Sequence, residues 1–171
     1  MIQGAMIKWS VTKEIIGGTG MELFEERLKA FFSEFGKGRT MVLSTSENGR
    51  VSSRMMSVVQ MNGEFWFQTD RNLKKYHQLS VNQNVALCID NIQIEGICRE
   101  IGHPLDNPVF CSVYQDCFKG SFDAYSSLKN ERLFCVKPRW MERWVYKNGL
   151  PYMETFCFEN SEYRFEQYIG V

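Results

Sequence analysis

The chain has 171 residues and carries equal numbers of basic and acidic side chains, 20 of each. One domain of this length can bury a core without disulfides or metal ions, and the balanced charge disfavours a general nucleic-acid or acidic-membrane surface. Thirteen phenylalanines bring the aromatic fraction to 14%, a composition that favours β-rich packing.

The N-terminal twenty residues contain no apolar run long enough for a membrane span or a signal peptide. We therefore expect a cytoplasmic protein with residues 1–20 as an N-terminal arm, whose order the sequence does not decide, and residues 21–171 as a single domain. The six cysteines form no CxxC pair, so core packing in a reducing compartment is expected and a zinc site is not. The alternative is a redox role for Cys111 or Cys117.

Apolar residues recur at three- and four-residue steps between residues 21 and 35, which predicts an amphipathic helix ended by Gly36. The period then changes to two. Asn48-Gly49 and Asn62-Gly63 are strong hairpin signals. Three antiparallel strands are therefore predicted, at residues 40–46, 50–61 and 64–69.

A short helix through residue 80 follows, for which Asp70 or Asn72 is the predicted cap. The next two strands are "VALCID" and "IQIEGICREI", and Gly96 inside the second predicts a bulge or a close backbone approach. Pro108 is tolerated in the first turn of a helix, and residues 108–130 are predicted to be mostly helical, with a break near Gly120.

The remaining sequence reads as three more strands. "LFCVKPRWMERWVY" is predicted to be interrupted by Pro138, and "YMETFCFE" and "YRFEQYI" alternate as a closing pair. So many antiparallel strands with so few linkers predict a mainly β fold, a small closed barrel with flanking helices.

Basic side chains and one hydroxyl surround the second hairpin: Arg54 on one strand, Thr69 at the end of the next, and Lys74 and Lys75 in the short helix. A phosphate monoester needs several donors that converge from different directions, and Arg, Lys and helix N–H groups supply them. This grouping is a candidate phosphate pocket. Solvated surface charges beside an exposed hairpin are the alternative interpretation.

The segments "RMMSV" and "FWFQTDRNLKKYHQLSVNQNVAL" resemble the flavin-binding core of the pyridoxamine 5′-phosphate oxidase-like family. The similarity is most specific over residues 40–100. It implies an antiparallel split β-barrel of the FMN-binding type, which forms a homodimer with the flavin at the interface. The true vitamin-B6 oxidases end with an Arg-Leu-His context, and this chain has no histidine after His103, so a general flavoprotein relative is expected.

The resemblance also implies roles for individual residues. Arg54 and Lys75 correspond to flavin phosphate ligands with Lys74 assisting, Thr69 to a phosphate or ribityl contact, Met55, Met56 and Ser57 to the strand that meets the ring edge, and Gln68 to a contact beside the ring. Residues that could reach the partner chain's flavin are Asn91 or Gln93 and Trp140 or Trp144.

The leading functional expectation is an FMN-dependent oxidoreductase that moves hydride or electrons between a nicotinamide or small-molecule donor and an unidentified acceptor. A non-catalytic protein that holds flavin, haem or a deazaflavin is the second. A third is a dimeric barrel that has lost its cofactor. No residue is identified as a general acid or base, no metal site is expected, and neither nucleic acid nor membrane is an expected partner.

Overall fold

The computed structural model describes residues 20–170. It contains three α-helices and eight strands. The helices are α1 (Gly20–Phe35), α2 (Lys74–Val81) and α3 (Pro108–Tyr125), and a single 3₁₀ turn spans Pro104–Asp106. The strands are β1 (Gly38–Glu47), β2 (Arg50–Met61), β3 (Glu64–Asp70), β4 (Asn84–Ile89), β5 (Ile92–Gly102), β6 (Glu131–Lys147), β7 (Leu150–Cys157) and β8 (Glu162–Gln167).

All strand pairs are antiparallel, and they form one sheet in the order β3-β2-β1-β4-β5-β6-β7-β8. An additional pairing of β3 with β6 closes the first six strands into a barrel. The strands β7 and β8 extend from β6 as a wing outside the closed part. The predicted mainly β barrel with flanking helices is confirmed.

Asn-Gly turns connect three of the hairpins. The pairs at 48–49, 62–63 and 148–149 have positive φ at both residues, as a two-residue turn of the twist-compatible kind requires. The first two turns were predicted from the sequence. The third turn, which joins β6 to β7, uses the same chemistry.

The barrel interior is filled by the inward-facing residues of the strands, because successive side chains alternate between the two faces. Phe67 on β3 stacks on Phe134 of β6 at 5.5 Å between ring centroids. Helix α1 lies against the wing, where Phe31 meets Phe156 at 5.7 Å. Arg143 on β6 joins these elements by ion pairs to Glu34 and Glu154.

Helix α3 covers the outer face of β2, β3 and β6, where Phe110 and Tyr114 pack with Val59, Met61 and Leu133. Asn107 caps it by accepting a hydrogen bond from the Phe110 amide at 2.9 Å. The helical geometry breaks at Phe118 (φ −140°, ψ 52°), close to the predicted break. Within residues 20–170, no helix is both long and apolar enough to cross a membrane.

Residues 108–130 are mostly helical, as predicted, and consecutive turns after Ser126 lead the chain from α3 into β6. Two other local predictions were wrong. Helix α2 begins at Lys74 without a side-chain cap; Asp70 instead accepts the Asn72 amide at 2.7 Å in a local turn.

The second correction concerns Pro138, which does not interrupt β6. Gly96 lies opposite Pro138 at a register shift between Glu95 and Gly96, so a bulge accommodates the proline in a continuous strand. A Cβ atom on Gly96 would lie 2.6 Å from the Lys137 carbonyl oxygen. The predicted bulge and close backbone approach at Gly96 are therefore both confirmed.

Candidate functional site

The strands β2 and β3 separate at one end of the barrel. They pair over only three positions, from Val59–Trp66 to Met61–Glu64, and β3 then pairs with β6 from Phe65 to Asp70. The first half of β2, which contains Arg54, pairs with β1 alone. Helix α2 packs against β1 and β3 at this end, so its first turn lies where the two strands have parted.

Arg54 is held by a polar network at this opening. Its Nη1 donates to Thr45 Oγ1 at 2.7 Å and to the Leu43 carbonyl oxygen at 3.3 Å, and its Nη2 donates to Gln78 Oε1 at 2.8 Å. Thr45 also donates to Gln78 Oε1 at 2.7 Å, and the Gln78 amide donates to Ser52 at 3.2 Å. The guanidinium is thereby fixed in one orientation.

The network leaves part of the guanidinium free. Arg offers five N–H groups, and the Nε–H and one Nη2–H of Arg54 have no protein partner in the part of the chain that the structure describes. Burial lowers the pKa of Arg54. The structure thus presents two directed donors on a partly desolvated cation, an arrangement suited to an anion.

Lys75, in the first turn of α2, is the second cation at this opening. Burial lowers its pKa, and the positive charge of Arg54 lowers it further, whereas Glu131 and Asp70 raise it. The ammonium group makes no hydrogen bond or close ion pair to residues 20–170. Two cations that repel each other beside an opening are stabilised when an anion binds between them.

Three buried polar atoms on β3 have no hydrogen-bond partner among the described residues: Trp66 Nε1, Gln68 Nε2 and Thr69 Oγ1. Thr69 is 2% exposed and Gln68 is 5% exposed. Buried polar groups are nearly always paired in native proteins, so these atoms indicate a ligand or water that completes them. The donor set of Arg54, Lys75 and Thr69, two cations and a hydroxyl, suits a phosphate ester such as that of FMN. Gln68 is adjacent to Thr69 on β3, so its side chain points to the opposite face of the strand.

The other residues implied by the resemblance occupy different environments. Met55 lies on the outer face of β2 and is 60% exposed, and Ser57 on the same face is half-buried. Met56 packs into the barrel core, so only its backbone faces outward. Lys74 is exposed at the start of α2.

Sequence reasoning missed the groups that position Arg54 and Lys75. Thr45 and Gln78 are buried polar residues, and Thr45 follows Met41 and Leu43 on the inward face of β1, where a polar residue in an apolar series was a usable signal. Glu131 is 4% exposed at the start of β6. Burial and the nearby charge of Asp70 raise the pKa of Glu131 to about 7, although Lys75 acts in the opposite direction.

A concave groove with a volume of about 660 Å³ lies on the outer face of the sheet. A row of mutually paired residues crosses it: Ser44, Ala86, Glu95, Trp140 and Cys157. At one end of β5, the Asn91 amide donates to the Trp144 carbonyl oxygen. Gln93 is exposed on the same strand.

The cysteines and histidines of the described chain form no constellation. All six cysteines are free thiols, and burial raises the pKa of Cys111 and Cys117, which disfavours their reactive thiolate forms. His103 contacts the Leu128 carbonyl oxygen through Nε2 and accepts the Leu105 amide at Nδ1. Across residues 20–170, no group of three or more His, Cys, Asp and Glu residues could hold a metal ion.

The closed barrel and the parted strands define a split β-barrel, and Arg54 and Lys75 lie at its opening. A family model described as pyridoxamine 5′-phosphate oxidase matches residues 24–145, well over half of the chain. The chain belongs to the pyridoxamine 5′-phosphate oxidase-like family. No curated protein sequence matches the chain.

Solved structures share the fold at low sequence identity. An FMN-binding, pyridoxamine 5′-phosphate oxidase-related protein from Nostoc punctiforme has a TM-score of 0.56 at 14% identity, over 88% of this chain and 95% of that one. General stress protein 26 from Bacillus anthracis has a TM-score of 0.52 at 21% identity, over 68% of this chain and 90% of that one. The haem storage protein HutZ from Vibrio cholerae has a TM-score of 0.53 at 20% identity, over 67% of this chain and 89% of that one.

Proposed function

We propose that the protein binds FMN and uses it as an oxidoreductase. The observation that carries this proposal is the pair of cations, Arg54 and Lys75, at the mouth of a barrel whose family includes an FMN-binding relative. Arg54 would bind the phosphate through its two free N–H groups, and Lys75 would neutralise its charge. Lys74 and Thr69 would supply further contacts.

The exposed part of the outer face of β2, around Met55, would receive the flavin ring. Met55 offers an apolar surface there, and Ser57, whose hydroxyl also contacts Tyr114 of α3, lies beside it. The backbone of the strand, including Met56, would face the ring edge. The free amide N–H of Gln68 would donate to an acceptor on the cofactor. When bound, FMN supplies hydride or electron transfer between a nicotinamide or small-molecule donor and an acceptor.

A second copy of the chain would complete the site as a homodimer. The concave outer face is open, and its Trp140 stands beside Glu95 and Cys157. A partner molecule would cover this face, and Trp140, Trp144, Asn91 or Gln93 would then approach the flavin of the opposite subunit. We place the protein in the cytoplasm, where reduced nicotinamides and small-molecule substrates are available.

Anaerobic reduction tests the oxidoreductase proposal. The protein is loaded with FMN, freed of excess cofactor, and mixed with NADH or NADPH while the flavin absorbance is followed. Loss of the oxidised flavin band at a rate well above that of free FMN is the expected result. Stable FMN binding without reduction by either nicotinamide, or by a panel of small-molecule donors, would instead favour a storage or sensing protein.

A further inference from the structure

Glu131 is a buried carboxyl group that the proposed cofactor site does not use. It begins β6 and is 4% exposed. Its backbone is fixed on both sides, since its amide donates to the Leu128 carbonyl oxygen at 3.0 Å and its own carbonyl oxygen accepts from the Arg132 guanidinium at 2.6 Å. The position of the residue at the start of the strand is therefore fixed, and its side chain is buried there.

A second carboxylate lies directly opposite. Glu131 and Asp70 are register partners in the β3–β6 ladder, and side chains at paired positions share one face at about 5 Å between Cβ atoms. Burial and the negative charge of Asp70 both oppose the ionisation of Glu131. Asp70 is the more exposed of the two side chains.

Charged groups from the neighbouring elements also face Glu131. Lys75 of α2 is electrostatically coupled to it, and so is Tyr114 of α3, whose pKa is raised by burial first and by the charge of Glu131 last. Beside it on β6, Arg132 forms an ion pair with Glu100 of β5 at 3.3 Å. Lys75 is thus the nearby cation that an ionised Glu131 would neutralise.

We propose that ionised Glu131 competes with a flavin phosphate for Lys75. The affinity of this site for the phosphate therefore depends on pH. This inference rests on the proposed FMN site. With Glu131 protonated, Asp70 offsets the charge of Lys75 without a second carboxylate, so more of that charge acts on the phosphate. With Glu131 ionised, its charge offsets that of Lys75 and repels the phosphate. Glu131 is a positioning residue, because it acts through Lys75.

The wild-type protein should therefore bind FMN more weakly as the pH rises through neutrality. The comparison is with Glu131→Gln, in which the side chain at this position cannot ionise. The ionisation of the FMN phosphate itself also changes binding in this range. The useful quantity is therefore the ratio of the dissociation constants of wild type and Glu131→Gln at each pH, in which that contribution cancels. We expect the dissociation constant of wild type divided by that of Glu131→Gln to be near one at pH 5.5 and about ten at pH 8.5. A tenfold ratio corresponds to an interaction of one pKa unit between Glu131 and the bound phosphate.

The experiment is a titration of FMN fluorescence quenching from pH 5.5 to 8.5. Glu25→Gln, which removes an exposed carboxylate of α1, is the matched control and should follow wild type. Riboflavin, which lacks the phosphate, should show a ratio independent of pH. In a Lys75→Met background, the effect of Glu131→Gln on FMN binding should largely disappear, which a purely structural role of Glu131 would not produce.

A flat ratio for FMN, or the same rising ratio for riboflavin, would overturn the inference while leaving FMN binding intact. Persistence of the full effect without Lys75 would also overturn it. Failure of wild type to bind FMN at every pH would overturn the proposed function and this inference together. Should Glu131→Gln fold poorly, the pH dependence of FMN binding is compared between wild type and Lys75→Met instead. The pH-dependent weakening that Glu131 causes should then be present in wild type and absent from Lys75→Met.

Discussion

Replacement of Glu131 by Gln should change the pH dependence of folding stability even without a ligand. The side chain keeps its shape, but it can no longer ionise. The pKa of Glu131 is raised from an ordinary 4.5 to about 7, so the folded protein binds a proton that the unfolded chain has already released between these values. Wild type therefore loses stability as the pH rises from about 4.5 to 7, and the full cost is present above pH 7.

The magnitude follows from the size of that change. Each pKa unit corresponds to about 1.4 kcal/mol, so the cost of ionising Glu131 approaches roughly 3 kcal/mol above pH 7. Glu131→Gln removes this cost. For a domain of this size, 1 kcal/mol moves the melting temperature by roughly 2–4 °C, so the variant should melt roughly 6–12 °C above wild type at pH 8.

Thermal unfolding followed by circular dichroism or calorimetry between pH 4.5 and 8.5 is the assay. The two melting curves should converge near pH 4.5 and separate as the pH rises, and Glu25→Gln should track wild type throughout. Parallel dependence of both proteins on pH would refute the reasoning, because Glu131 would then ionise equally in the folded and unfolded states.

Three further substitutions test the framework of the barrel by chemical denaturation. Gly96→Ala should cost about 1–3 kcal/mol, because the added Cβ would meet the Lys137 carbonyl oxygen at 2.6 Å; no loss would contradict the close approach. Arg143→Met should cost about 3–5 kcal/mol, since it leaves the buried Glu154 carboxylate without its cation; a neutral effect would show that the pair is dispensable. Thr45→Val should cost about 1–3 kcal/mol by removing one of the acceptors of Arg54, and an unchanged midpoint would argue against that network.

The barrel could be predicted because its signals are local. The Asn-Gly pairs at 48–49 and 62–63 determine two hairpins, and the alternation of the strands separates the core face from the outer face. The path of β6 past Pro138 could not be predicted, because it depends on Gly96, a residue of another strand. The end of α3 depends similarly on turns that lead into β6.

The residues of the candidate site also divide into those that the sequence predicts and those that it does not. Arg54 and Lys75 are recognisable in the sequence because their type and spacing suit a phosphate. Thr45, Gln78 and Glu131 are not, since each acquires its role from a partner that lies far along the chain. Gln78 lies 33 residues from Thr45, and only the closure of the barrel end by α2 brings the two together.

The most direct test of the account is FMN binding by wild type and by the double variant Arg54→Ala/Lys75→Ala, measured by fluorescence quenching. Wild type should bind FMN with at least micromolar affinity. The double variant should bind at least about a hundredfold more weakly, since two charge-assisted contacts contribute roughly 1.5 kcal/mol each or more.

A control with two exposed lysines removed, Lys29→Ala/Lys147→Ala, should bind like wild type. Melting curves establish that the variants are folded, and Lys75→Met alone serves if the loss of Arg54 prevents folding. Equal FMN affinity in wild type and a folded Arg54 or Lys75 variant would contradict the placement of the phosphate between these two cations. No FMN binding by wild type would contradict the function itself.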